Sequence, residues 1–153
     1  MVGNHDTKPI WRLAREWLDN EQARRQADYL AWRLAPEAAR EAFASEIAGD
    51  WRKLVHAKMA DLFNSPATHV MIFFADLLGL QEIYNRPGVN HPDNWRLRVP
   101  PDFADTFPAS AARGEALNIP TVLALALRAR GTEFTAANRD LIDQLSRLGG
   151  WWE

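Results

Sequence analysis

Cysteine is absent from the 153 residues, which excludes disulfides, thiol catalysis and thiolate metal sites. Long hydrophobic runs are missing too: no stretch approaches ~20 uninterrupted apolar residues, so no segment reads as a membrane-spanning helix. No basic segment leading into an apolar one marks the N-terminus as a secretory signal, and the expected location is cytoplasmic. Surplus charge is small. A net charge of −2 exerts no long-range pull on nucleic acid or anionic membrane, and neither is expected as a partner. Internal repeats, low-complexity tracts and linkers are also lacking, so residues 1–153 read as a single segment.

What is present is ordinary globular composition, with 47% hydrophobic and 25% charged residues, which argues against disorder. Tryptophan stands out, at 11, 17, 32, 51, 95, 151 and 152. Core packing is the first reading of these side chains. Sugar stacking is the sharper one, because a pyranose face lies well on an indole. Trp151 and Trp152 give no functional signal.

Apolar spacing predicts a helix over 8–18, through Ile10, Leu13, Trp17 and Leu18. Asn20 is a plausible cap for a second helix to Leu34, with Ala23, Ala27, Leu30, Ala31 and Leu34 on one face. Pro36 starts a third, stopped by Gly49, and Asp50 caps a fourth whose stripe is Trp51, Leu54, Val55, Met59, Leu62 and Phe63. Two more close the chain, over 119–130 and 136–148. Between them, 81–110 has little periodicity and five prolines, and a structureless segment of that length is usually functional or mobile.

Two places read as strand. Val2-Gly3 looks like the end of one, with Asn4-His5-Asp6 at its tip and Thr7-Lys8-Pro9 leading into the first helix. Thr68-His69-Val70-Met71-Ile72-Phe73-Phe74-Ala75 is a continuous apolar run, the pattern of a strand buried on both faces of a parallel sheet. Such strands need neighbours to satisfy their backbone groups, and the chain does not supply them. The expected fold class is therefore α/β, the C-terminal portion of a larger (β/α) barrel with mostly helical content. Its expected parts are the strand-seven tip, helices and strand eight in 1–80, a substrate-side loop in 81–110, and C-terminal helices in 111–153.

Gly3-Asn4-His5-Asp6 matches one block of the calcineurin-like metallophosphoesterases. The family's other metal-binding blocks are not found, since His56, His69 and His91 stand alone and Gly49-Asp50 leads into Trp-Arg-Lys. Asn4-His5-Asp6 also resembles the block at the end of the seventh strand in α-amylase-type barrel glycosidases. Three further blocks follow: Asp76-Leu77-Leu78-Gly79, Asn85-Arg86-Pro87-Gly88 and Asn94-Trp95-Arg96-Leu97-Arg98. Together, and in this order, they resemble the C-terminal region of the amylomaltases, the bacterial 4-α-glucanotransferases. The departures are Asn4, where the family usually has Thr, and Leu97, where an aromatic residue is common.

The resemblance implies retaining transfer of α-1,4-glucan segments, with a maltooligosaccharide as partner and no metal or organic cofactor. It implies that Asp6 is the third catalytic carboxylate, which accepts hydrogen bonds from ring hydroxyls at the cleavage point. His5 would hold a hydroxyl of the same sugar. Asn85, Pro87 and Gly88 would line the substrate groove, with Asn94, Trp95 and Arg98 bracing that loop. Asp76 would cap the turn that follows it. The family's nucleophile and general acid lie on earlier strands, so the isolated chain is expected to be inactive and to associate with an N-terminal part or with itself. The alternative is a small helical interaction domain, derived from an enzyme but without catalysis.

Overall fold

The computed structural model describes residues 3–152, and among these there are nine α-helices, one 3₁₀ turn and no strand. This corrects the expected α/β barrel portion. Val2 lies outside the described residues, and Gly3 is irregular and buried. The apolar run leaves α4 as extended chain over 69–73, with Met71 69% exposed, and then turns into helix α5, Phe74–Leu78. A short apolar run does not by itself distinguish strand from helix or covered loop. Here Phe73 and Phe74 pack on Tyr84, 5.9 and 6.0 Å between ring centroids, and are partly covered by these aromatic contacts rather than by a sheet.

The first four helices run close to expectation: α1 Ile10–Leu18, α2 Gln22–Leu34, α3 Arg40–Ala48 and α4 Trp51–Phe63. The five residues expected on the inner face of α2 are the five it buries. Asp50 Oδ1 accepts from Arg52 N–H at 2.9 Å to cap α4. The residue at the start of α2 is Glu21, whereas Asn20, expected there, stands one position further out with its Oδ1 3.3 Å from Gln22 N–H. The helix expected from Pro36 is broken by a 3₁₀ turn, Glu37–Ala39, before α3 begins.

Helix α4 is the centre of the molecule, packed by α1, α2, α3 and α7. It buries Leu54, Val55, His56, Ala57, Met59 and Ala60, which spans more than one face. With Trp11, Leu30, Ile47, Leu117 and Val122 these form one continuous core.

The C-terminal half departs more. Helix α6, Phe103–Ala112, forms inside the segment expected to lack structure, despite Pro108 within it. Helix α7 is Ile119–Arg128, capped by Asn118 and carrying Pro120 in its first turn. The last expected helix, over 136–148, is α9 Arg139–Gly149, and a short helix that was not expected, α8 Thr132–Ala137, precedes it. Gly79 ends α5 at φ 77°, and a Cβ there would collide with the Glu115 carbonyl, so both conformation and space require glycine. That close approach lets Leu117 N–H donate to Leu77 O at 3.0 Å, which joins α5 to the segment before α7.

Candidate functional site

The N-terminal segment forms a turn rather than a strand tip. Asn4 Oδ1 accepts from Asp6 N–H at 2.8 Å, Asn4 N–H donates to Thr7 Oγ1 at 2.9 Å, and Thr7 N–H donates to Asn4 O at 3.3 Å. Thr7 therefore closes this turn, and Pro9 occupies the position before α1. The side chains of His5 and Asp6 are left about half exposed, with His5 Nε2 3.3 Å from Asp6 Oδ2.

The loop after α5 is held by its own polar groups. Pro87 and Gly88 occupy the middle of a turn from Arg86 to Val89, where Val89 N–H donates to Arg86 O at 3.3 Å and Gly88 has φ 74°. Asn94 straddles that turn: Oδ1 accepts from Arg86 N–H at 3.1 Å and Nδ2 donates to Val89 O at 2.9 Å. Arg98 donates to the Trp95 and Leu97 carbonyls, at 2.7 and 2.9 Å. Both residues brace backbone.

The structure brings these two segments together. Asn85, 9% exposed, donates from Nδ2 to Asp6 Oδ1 at 2.6 Å across 79 residues of sequence. Trp95 sits beside His5 with ring centroids 5.4 Å apart, and is held by Tyr84 through an edge-on ring contact and a 2.8 Å bond from its N–H to the Tyr84 carbonyl. Trp95 also has φ 64°, a conformation that costs a bulky residue free energy and is kept only where the surroundings fix it. It is 52% exposed, so an apolar indole faces solvent next to a polar pair. Pro87 and Gly88 are exposed on the adjoining turn, and a Cβ added to Gly88 would meet nothing within 4 Å. Trp95 is the residue sequence reasoning underrated. Its signal was the combination of an aromatic residue with a loop otherwise built of turn formers.

The arrangement offers one half-exposed carboxylate, an amide that fixes it, an imidazole and an aromatic surface. That set suits a neutral polyhydroxyl ligand, with hydroxyls on the polar atoms and C–H groups on the indole. Among the described residues no group of three or more His, Asp or Glu side chains converges as metal ligands would.

Asp76 is placed elsewhere. It is 1% exposed, and its Oδ1 accepts from Ile10 N–H at 2.8 Å, so it caps α1 rather than its own turn. Burial pushes its carboxyl above the usual range, and Oδ2 has no partner among the described residues. His56 is fully buried between Trp11 and Trp151, with ring centroids 5.7 and 4.6 Å away. Its Nε2 accepts from Asn118 N–H at 3.0 Å, and its Nδ1 lies 2.7 Å from the Arg52 carbonyl. Both side chains hold helices together and neither reaches the surface.

No protein-family model, curated protein or solved structure matches the chain. Among the described residues, no helix is long and apolar enough to cross a membrane.

Proposed function

We propose that this chain recognises α-1,4-glucan in a retaining 4-α-glucanotransferase reaction, through His5, Asp6, Asn85 and Trp95. The observation that carries the reading is the Asn85–Asp6 hydrogen bond, which joins the two segments whose sequence resembles the amylomaltases. Asp6 accepts hydrogen bonds from ring hydroxyls, His5 holds a hydroxyl of the same sugar, and the C–H face lies on Trp95. Asp6 contacts strengthen as oxocarbenium charge develops, so they act mainly in the transition state.

Retaining transfer also needs a nucleophile and a general acid about 5 Å apart. No residue of this chain is assigned to either role, so a second polypeptide segment supplies them. Pro87 and Gly88 border the sugar as a turn, and no metal or organic cofactor takes part. The cytoplasm is the proposed location.

The test uses the isolated chain. Incubation with maltotriose followed by chromatography is expected to return only maltotriose, while maltoheptaose is expected to bind saturably by calorimetry. Trp95→Ala should weaken that binding at least tenfold, about 1.4 kcal/mol. Absence of saturable binding, or new oligosaccharides above a heat-killed control, would overturn the reading.

A second reading, a helical interaction domain without catalysis, is favoured by the core that the chain's own helices build among themselves. Addition of an amylomaltase N-terminal part separates the two. Glucan transfer returns under the first reading and not under the second.

A further inference from the structure

A groove of about 770 Å³ lies where the end of α2, the 34–40 turn and the starts of α8 and α9 meet the end of α7. This is the size of a small-molecule site. Its lining includes Trp32, Arg33, Arg40, Arg128 and Arg139 and no carboxylate, although the chain as a whole is acidic by two charges. None of these residues belongs to the His5–Asp6–Asn85–Trp95 surface.

Two of the arginines are already engaged. Arg33 Nε donates to Asp61 at 2.8 Å, and Arg128 donates to Ser146 Oγ at 2.7 Å. Arg40 is different: its Nε is buried with no hydrogen-bond partner among the described residues. Arg40 also makes no ion pair among the described residues, so the charge of its guanidinium group is available to an anionic oxygen in the groove. The rest of the wall is largely apolar, built by Leu34, Pro36, Ala129 and Ala136. Trp32 is 62% exposed at this surface, with an indole face available for stacking. A bare anion would satisfy the guanidinium groups but leave the apolar wall wet. An apolar ligand would leave the charges of Arg40 and Arg139 without an anionic partner.

We propose that this groove binds a small organic phosphate carrying a flat ring, of which a nucleoside diphosphate is the simplest case. The phosphates sit on Arg40, Arg128 and Arg139, whose planar forks match phosphate oxygens two at a time. The ring stacks on Trp32.

Calorimetric titration of the whole chain with ADP, adenosine and inorganic pyrophosphate tests this. ADP is expected to saturate below ~1 mM, with adenosine and pyrophosphate each at least tenfold weaker. Arg139→Gln should weaken ADP at least tenfold. Trp32→Ala should weaken ADP by a similar factor and leave pyrophosphate unchanged. Arg139 and Trp32 are exposed, so these variants keep the fold even if Arg40→Gln does not. No saturable ADP binding, ADP binding unchanged in both variants, or pyrophosphate binding as tightly as ADP would each overturn the proposal.

Discussion

Protonation of His56 would disrupt the centre of the molecule. Its Nε2 must accept from the Asn118 N–H, so a second ring proton would face a donor instead of an acceptor. Burial opposes the charge as well, and the ring's pKa falls from 6.5 to about 4. The folded value lies below the unfolded one, so the stabilisation is complete above pH 6.5 and is lost as the pH falls towards about 4. The loss amounts to roughly 3 kcal/mol across that window. Urea unfolding at pH 7.5 and pH 4.5 should show it, and His56→Gln should remove most of this pH dependence while lowering stability at pH 7.5. An equal pH dependence in the variant would mean that carboxylates, not His56, govern acid sensitivity. At the same scale, Asp76→Ala should cost about 1–2 kcal/mol by removing the α1 cap. Asp76→Asn should cost less, because an amide oxygen still accepts from Ile10 N–H and the charge that burial disfavours is gone.

At the scale of elements, glycines of similar φ separate conformation from contact. Gly79 and Gly88 lie at φ 77° and 74°, but a Cβ at Gly79 meets the Glu115 backbone while one at Gly88 meets nothing within 4 Å. Gly88→Ala should therefore cost about 1 kcal/mol from the left-handed conformation alone. Gly79→Ala should cost about 2 kcal/mol or more, because α5 must also move away from the strand of chain before α7. Equal urea midpoints for the two variants would show that the α5 approach is unimportant. The helices legible in the sequence are those with a local signal at each end: Asp50 and Asn64 around α4, or Pro120 and Gly131 around α7. Helix α6 was not legible because it buries no residue and contains Pro108, so neither periodicity nor composition marks it. Helix α8 was not legible either, since its six residues bury nothing and it is too short to show a period.

For the whole molecule, the decisive misreading was the apolar run at 68–75. Its composition demands cover, and the sequence does not say whether that cover is a sheet or a set of rings. Only its last part finds any: Phe73 and Phe74 pack on Tyr84 while Met71 stays 69% exposed, and Tyr84 in turn holds Trp95. The same packing that replaces the expected strand thus builds the aromatic side of the candidate site. The contact of Asp6 with Asn85 was not legible in periodicity or composition, because a contact across 79 positions leaves no periodic trace. Amide NMR spectra recorded during a maltoheptaose titration test the central claim most directly. Saturable shifts are predicted to cluster at His5, Asp6, Asn85 and Trp95 and to vanish in Trp95→Ala. Shifts that never saturate, or that cluster away from these four residues, would contradict it.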